Sequence, residues 1–474
     1  MTTDRAVIVL AAGAGTRMKS AKPKMLHELL GRTLLGHVLK ASTAVKPDHS
    51  IVVVGASAED VTEHVSHISP QSTTVLQAEQ NGTGHAVRTA LEANPDLTGT
   101  VVVLNGDVPL LQGATVENFI DAHEAARHSA TVMTAAVADP TGLGRIIRNG
   151  NGRFERIVEH RDATDDELAI DEINGGIYAF DVELLRRALD QLNADNDQGE
   201  EYLTDVLELL RKDGHRVGTH QVDDQIELLG CNDRAQLAQL RALLRDRINH
   251  ALMKSGVTIE DPATTWIDAT VKVENDVIIR PGCQLRGATA VDTGADIGPD
   301  STLVDTIVES DAAVARTHAV QATIGPEATV GPYSYLRPGA KLGRGARVGA
   351  YVEVKASEIG DGAKVPHLSY VGDATVGERA NVSCGVIVAN YDGIAKHHTT
   401  IGAGAFVGCD SVLVAPVNIG DGTYVGAGSV VSNDVNPGEL AVTRAQQRNI
   451  EGWVAKRRPG TFTAEAAQRA KDSD

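Results

Sequence analysis

Two groups of residues have the types and spacing for chemistry. The first is Leu10-Ala11-Ala12-Gly13-Ala-Gly-Thr-Arg17-Met18, which follows a short apolar run and opens toward a helix. Glycines at such a junction let backbone N–H groups approach a phosphate, and Arg17 adds positive charge. The spacing is neither G-x-G-x-x-G nor a P-loop, which argues against a dinucleotide site and a P-loop NTPase. Lys24 follows within reach of the same loop, where an ammonium can neutralise charge during phosphoryl transfer. Asn105-Gly106-Asp107 ends the apolar run Val101–Leu104. A carboxylate there faces the ligand crevice and suits Mg2+ bound to substrate phosphates. Each piece also has a plainer reading: a glycine turn, a solvated lysine, an aspartate capping the next turn.

The second group lies in the C-terminal half. Arg337 and Lys355 are eighteen residues apart, and His367, Tyr370, Asn381, Asn390 and Tyr391 follow. Two stacked cations make a phosphate clamp, and an imidazole serves as a general base near neutral pH. The plainer readings are two solvated cations and a structural histidine. His397-His398 has two readings, a metal-binding pair and a solvated pair, of which the solvated one is preferred.

Composition bounds the rest. A chain of 474 residues predicts two or three domains. Lys+Arg number 44 against 63 Asp+Glu, and the net charge of −19 argues against nucleic acid or an anionic membrane as the main partner. No apolar run is long enough to span a bilayer, and the first one reads as a buried strand rather than a signal peptide. The four cysteines, Cys231, Cys283, Cys384 and Cys409, form no C-x-x-C pair, so a reducing, cytoplasmic setting is expected.

The elements that must position these residues differ between the halves. To about residue 230, apolar runs alternate with helical patterns: Ala6–Leu10, Ile51–Val54, Thr73–Gln77, Val101–Asn105 and Thr131–Val137 against Met25–Ala41, Gly84–Ala93 and Ala114–His128. This rhythm predicts a mostly parallel, Rossmann-like α/β sheet. Leu237, Leu240, Leu244, Ile248 and Leu252 predict one amphipathic linker helix. Beyond about residue 262 a six-residue period takes over. Val273, Ile279, Leu285, Val291, Ile297 and Leu303 share one register, and Val308, Val314 and Val320 another. Ile324 to Val354 and Ile401 to Val431 continue it. Three hexads close one coil of a solenoid, whose narrow core explains the 3% aromatic content. The register slips around Ile359–Tyr370, and Asn390–His398 reads as a loop thrown out of the coil. The predicted boundaries are 1–232, a linker helix at 233–253, a coil domain at 254–455 and a mobile tail at 456–474.

The LAAGAGTRM run with Pro23-Lys24 resembles the nucleotidyltransferases that make nucleoside diphosphate sugars. Gln77-Ala-Glu-Gln-Asn-Gly82-Thr83-Gly-His-Ala, Asp139-Pro-Thr-Gly-Leu-Gly144-Arg-Ile, Val158-Glu159-His160, Glu172-Ile-Asn174-Gly-Gly-Ile and Gly230-Cys-Asn232-Asp-Arg recur in the order of one branch. Those are bacterial two-site enzymes joining a uridyltransferase for N-acetylglucosamine 1-phosphate to an acetyltransferase for glucosamine 1-phosphate, and the resemblance covers nearly the whole chain. It implies a left-handed parallel β-helix of hexapeptide repeats and a homotrimer in which Arg444 and Trp453 serve a neighbouring chain. It also implies UTP and acetyl-CoA as co-substrates, Mg2+ as cofactor, and UDP-N-acetylglucosamine for cell-wall precursors as product.

The same resemblance implies residue roles. Leu10, Ala11, Ala12, Gly13, Gln77, Gly82, Thr83, Asn105, Gly106 and Asp107 cradle the uridine nucleotide. Lys24 and Arg17 lie near its phosphates. Gly144, Glu159 and Asn174 hold the sugar, and Asp107 and Asn232 hold Mg2+. In the coil, His367 is the general base. Arg337, Lys355, Tyr370 and Asn381 bind glucosamine 1-phosphate. Cys384, Asn390, Tyr391, Cys409, Ala427 and Arg444 contact acetyl-CoA. The chain departs from the family pattern in places. Asn105 stands where Tyr is common and Gly175 where Thr is common. Cys384 stands where Ala is usual, and Cys409 where Ser is usual. Two other readings remain: a single-activity nucleotidyltransferase with the coil as an oligomerisation stalk, and a non-catalytic scaffold subunit.

Overall fold

The computed structural model describes residues 4–193 and 199–473 and divides the chain into two compact units, Met1–Asp305 and Thr306–Asp474. The first unit begins with β1 (Arg5–Ala11), α1 (Leu34–Ser42), β2 (His49–Val54), α2 (Ala58–Ile68) and β3 (Thr73–Leu76). It continues through α3 (Thr83–Glu92), β4 (Thr100–Asn105), α4 (Gly113–Ala126) and β5 (Ala130–Ala136). Then come β6 (Arg145–Arg148), β7 (Phe154–Val158), β8 (Glu172–Asp181), α5 (Val182–Leu189), α6 (Leu203–Lys212), β9 (Val217–Gln221) and α7 (Arg234–Lys254). The sheet runs β9-β5-β8-β4-β1-β2-β3, with β6 and β7 added beside β8.

β1 pairs in parallel with both β2 and β4, and β8 lies antiparallel between β4 and β5. Alternation along β1 explains the helices on both faces. Val7 and Val9 join a core with Leu35, Val38 and Phe119, whereas Ala6 and Ile8 join one with Val87, Ala90 and Leu207. A strand buried on both faces must be apolar throughout, which is why it shows as a continuous Val/Ile run.

Two expectations change. The helix expected over Met25–Ala41 begins only at Leu34. Before it come a short 3-10 turn, Lys24–Leu26, and a tight hairpin of Glu28–Leu29 and Arg32–Thr33. Leu30 and Gly31 turn that hairpin at positive φ, and the Thr33 side chain accepts a hydrogen bond from Gly36 N, capping the delayed helix. The inward residue of the strand His318–Val320 is Ala319, fully buried, rather than Val320. Successive coils there step sixteen and seventeen residues, Ala313 to Thr329 and His318 to Tyr335, so the six-residue register loses a place.

Helix α7 packs Leu237, Leu240 and Leu244 against Met18, Leu29, Leu34 and Leu110. Buried Asn249 donates from Nδ2 to Pro262 O and Thr265 O, tying the helix to the segment that starts the coils. Within the first unit the coil strands stack in parallel, eighteen residues apart (Gln284 to Thr302). In the second unit the same three-sheet stacking recurs with steps of seventeen (Glu353 to Tyr370), and of twenty-five (Ile387 to Val412) where the loop is inserted. The architecture is a Rossmann-like α/β fold with a mostly parallel sheet, followed by a left-handed parallel β-helix. Aspartates hold left-handed backbone positions at several corners, including Asp300, Asp311, Asp373 and Asp410. Short polar side chains tolerate that conformation. Two short exposed helices, Trp453–Arg457 and Phe462–Asp472, occupy the stretch expected as a tail.

The first unit carries a pH dependence. Burial, with help from His128, lowers the His123 pKa to about 4, and burial does the same for His37. The unfolded chain takes up these protons near pH 6.5, so stability is full above that value and falls as pH drops toward 4. Each histidine contributes roughly 3 kcal/mol across that window. Thermal melts should therefore show the first unit losing stability between pH 6.5 and 4.5, and His123→Gln should flatten the decline. A melting temperature constant over that range would contradict the assignment.

Candidate active sites

The first site forms where β1 and β4 end side by side. Leu10 pairs with Asn105, and Gly106 N donates to Leu10 O at 2.9 Å, so the glycine loop and the Asn105–Asp107 turn share one edge. They open on a cleft of about 330 Å³ lined by Leu10, Ala12, Gly13, Lys24, Gln77, Gly82, Thr83, Asn105 and Asp107, all expected from the sequence. Met25, Gln80, Ala86 and Glu200 also line it and were not anticipated. Gln80 donates from Nε2 to Ala12 O at 2.8 Å, holding the loop open; its only sequence signal is its place within the quoted Gln77 run. Gly55 is required from behind, because a Cβ there would stand 2.3 Å from Ala12 O. On the opposite wall Gly82 takes φ 109°, and a Cβ would meet Glu201 O at 2.4 Å. Gln77 is buried and donates to Gly82 O at 3.1 Å.

The charged end of this cleft is compact. Lys24 Nζ donates to Asp107 Oδ2 at 2.5 Å and to Asn232 Oδ1 at 3.1 Å. Arg17 donates to the same Asn232 oxygen at 3.0 Å. Cys231 N donates to Asp107 O at 2.9 Å, which brings Asn232 to the site from far along the chain. Asp107 and Asn232 thus each present an oxygen to the one ammonium, Lys24 Nζ, and hard oxygen donors are the kind Mg2+ takes.

Gly144, Glu159 and Asn174 form a neighbouring corner. Asn174 N donates to Gly144 O at 2.9 Å, and a Cβ on Gly144 would lie 3.3 Å from Glu159 Oε1. Burial, then Asp162 and Asp205, pushes the Glu159 carboxyl above its usual range. The pairing of β8 with β5 shifts register between Asn174 and Tyr178. Gly176, at φ 69°, would place a Cβ 2.5 Å from Asn105 Nδ2, and Asn105 donates to Gly176 O at 3.1 Å. The departure at 105 is thus accommodated by a direct hydrogen bond.

The second site lies on the coils of the second unit, where backbone bonds sort the expected residues into two columns. Leu368 N donates to Ala350 O, Gly385 N to His367 O, Asp410 N to Cys384 O and Gly428 N to Cys409 O. Ala350, His367, Cys384, Cys409 and Ala427 therefore stack along one corner, and Arg444 reaches Ala427 O at 3.0 Å. The other column carries Arg337, Lys355 and Gly372, because Leu336 pairs with Val354 and Lys355 with Gly372, and Asp373 follows at the next corner position. Lys355 Nζ bonds Asp373 at 2.9 and 3.1 Å. Asn390 Nδ2 donates to Asp373 and to Tyr370 OH. Burial pushes the Asp373 carboxyl up, but the bonds from Lys355 and Asn390 win and hold it below its usual range. Asp373 was not singled out in the sequence.

Some expected residues are not joined. Arg337 pairs with Glu353 at 2.8 Å. Asn381 lies beside Lys364 and Phe406 on the sheet that carries His367. His367 is exposed at the end of a strand in a different sheet from Lys355; the residue one coil beyond Lys355 is Gly372, and His367 stacks on Ala350. Tyr391 is 59% exposed and donates to Gly393 O within the loop. His397 bonds Asp392, and His398 bonds Thr375.

Comparison with known proteins agrees with this division. The MobA-like NTP transferase domain family matches residues 7–259, and the bacterial transferase hexapeptide family matches residues 321–356 and 398–433. A relative from Thermobifida fusca (strain YX), named Bifunctional protein GlmU, is 54% identical over 98% of this chain and 97% of its own length. Proteins of the same name from Streptomyces avermitilis and Corynebacterium aurimucosum are 54% and 50% identical, covering 98% and 99% of this chain and 97% and 98% of their own lengths. This chain belongs to the GlmU family of bifunctional proteins.

Proposed function

We propose that the chain makes UDP-N-acetylglucosamine in two steps at two sites. Acetyl-CoA first acetylates the 2-amine of glucosamine 1-phosphate; UTP then uridylates the product and releases pyrophosphate. The carrying observation is that one chain holds both charged constellations, Lys24–Asp107–Asn232 and Lys355–Asp373–Asn390, each within one of the two compact units. The single-activity reading has no residue in its favour.

In uridylyl transfer the sugar phosphate oxygen attacks the α-phosphorus of UTP, and pyrophosphate leaves. The nucleophile is already anionic, so no general base is needed; positioning and charge neutralisation carry the rate. Lys24 and Arg17 meet the phosphates, while Gly144, Glu159 and Asn174 orient the sugar. Asp107 and Asn232 would hold Mg2+, which supplies charge neutralisation when bound. In acetyl transfer the amine nitrogen bonds to the thioester carbon, the C–S bond breaks, and His367 takes the proton from nitrogen. Arg337, Lys355, Tyr370 and Asn381 hold the sugar phosphate. Asn390 and Tyr391 flank the acetyl group, and the Cys384–Cys409–Ala427 corner with Arg444 receives the coenzyme.

The domains follow the sequence boundaries: 1–232 for uridylyl transfer, 233–253 as linker helix, 254–455 for acetyl transfer and 456–474 as a tail. The working assembly is a homotrimer in the cytoplasm, with each acetyl-transfer site completed by a second copy. Two observations support this. His367 ends the strand Lys364–His367 of one sheet, whereas Lys355 ends Glu353–Lys355 of the next and pairs with Gly372, so the two side chains start from different corners of the coil. Tyr333, Tyr351 and Leu368 are 53%, 61% and 57% exposed at left-handed corners that bulky residues rarely adopt.

Release of free CoA thiol that requires glucosamine 1-phosphate tests the first step; pyrophosphate release on adding UTP and Mg2+ tests the second. Absence of the first would leave a nucleotidyltransferase with a stalk. Asp373→Asn should raise KM for glucosamine 1-phosphate about tenfold, because Lys355 and Asn390 lose a shared anionic partner worth ~1.5–3 kcal/mol per bond. Its KM for acetyl-CoA should stay near wild type. Equal changes in both would mean Asp373 is only structural.

A further inference from the structure

The two cysteines that depart from the family pattern, twenty-five residues apart in sequence, are neighbours in space. Val382 pairs with Val407, and Asp410 N donates to Cys384 O at 2.9 Å, so Cys384 and Cys409 occupy adjacent rungs of one corner. The next residues, Gly385 and Asp410, both take left-handed φ, 73° and 55°, so the two turns follow similar backbone paths. Adjacent parallel rungs stand about 4.8 Å apart, and a disulfide accepts Cα separations of roughly 4.4–6.8 Å. Cys384 is half-buried and Cys409 is exposed, whereas Cys231 and Cys283 are fully buried. The stacked pair is therefore the oxidisable one. We propose that Cys384 and Cys409 form a reversible intrachain disulfide that closes the acetyl-CoA corner under peroxide.

The chemistry balances with hydrogen peroxide as oxidant. The Cys409 thiolate attacks one peroxide oxygen, the O–O bond breaks, and hydroxide leaves a sulfenic acid. The Cys384 thiolate then attacks the Cys409 sulfur, the S–O bond breaks, and a second hydroxide leaves. With the two thiol protons, these give two waters and one S–S bond. A dithiol reverses the step by exchange. The bridge would join two consecutive rungs directly below His367, between the general base and Ala427. Its effect on activity rests on the acetyl-CoA placement proposed above; its formation does not.

The test is mild peroxide treatment of the intact protein, alkylation, and peptide mapping without reduction. The expected result is a linked pair of peptides carrying Cys384 and Cys409, with two of the four thiols lost on titration in denaturant. Acetyl transfer should drop at least tenfold, uridylyl transfer should hold, and dithiothreitol should restore the loss. In Cys409→Ser, the linked peptide should vanish, and acetyl transfer, whatever its starting level, should fall less than twofold on peroxide. Sulfinic or sulfonic acid at Cys409 without the linked peptide, or bridges only between separate chains, would overturn the disulfide. A linked peptide with unaltered acetyl transfer would overturn the closure of the corner. Reduced protein with no acetyl transfer at all would sink the functional reading instead, and the linked peptide would still report on the bridge.

Discussion

Replacing His367 by alanine should lower the rate of acetyl transfer by about 10²–10⁴-fold, the usual contribution of a positioned general base. Pyrophosphate release from UTP and N-acetylglucosamine 1-phosphate should continue at the wild-type rate. The separation follows from where the side chain stands. His367 is exposed on a corner of the second unit; its backbone pairs with the neighbouring rungs at Ala350 and Gly385, and its carbonyl also accepts from Ser369 Oγ. Removing an exposed imidazole ring leaves no cavity, so folding should be unchanged. The amine must lose a proton as its nitrogen bonds to the thioester carbon, and alanine offers no acceptor. CoA release measured with and without glucosamine 1-phosphate reads the loss. An alanine variant within threefold of wild type would remove His367 from the reaction.

The second large effect is the reverse. Asp107→Ala should lower uridylyl transfer by roughly 10²–10³-fold, on the scale of removing one preorganised electrostatic partner, and leave acetyl transfer intact. Asp107 serves twice in the proposed site. Its carboxylate is one of the two oxygen donors suited to Mg2+, and it holds Lys24 Nζ at 2.5 Å. Lys24 is only 10% exposed, so losing its anion leaves a cation nearly out of water with Asn232 as its remaining partner. The backbone of Asp107 still accepts from Cys231 N, so the Asn232 loop should stay in place. Pyrophosphate release against Mg2+ concentration separates the two roles: a metal role shifts the Mg2+ dependence, whereas a lysine-positioning role alone lowers the rate at saturating Mg2+. A rate near wild type at all Mg2+ concentrations would remove Asp107 from both.

Much of this protein is legible in local pattern. The Val/Ile runs marked β1 to β5 to within a few residues, because a strand buried on both faces must be apolar along its whole length. The six-residue period marked the coils, because each short strand turns one aliphatic residue to a narrow axis. The glycine loop and Lys24 pointed to a phosphate site because they sit close in sequence, and Asp107 did so because it follows the end of an apolar run. The same logic misled where a local break outweighed a periodic pattern. Leu30 and Gly31 turned an expected helix into a hairpin, and a shortened coil moved the buried position from Val320 to Ala319.

Composition and period by themselves determined the class: an acidic two-part chain, one half alternating strands and helices, the other a solenoid with charged corners. Tertiary structure alone decided which distant residues meet. Nothing in the local sequence says that Asn232 shares Lys24 with Asp107, that Gly55 backs the loop at Ala12, or that Asp373 ties Lys355 to Asn390. Nor does it say that Cys384 and Cys409 stack across an inserted loop. Such contacts depend on strand order, on coil length and on the loop between coils, and those are settled by packing summed over the whole fold rather than by the preferences of neighbours in sequence.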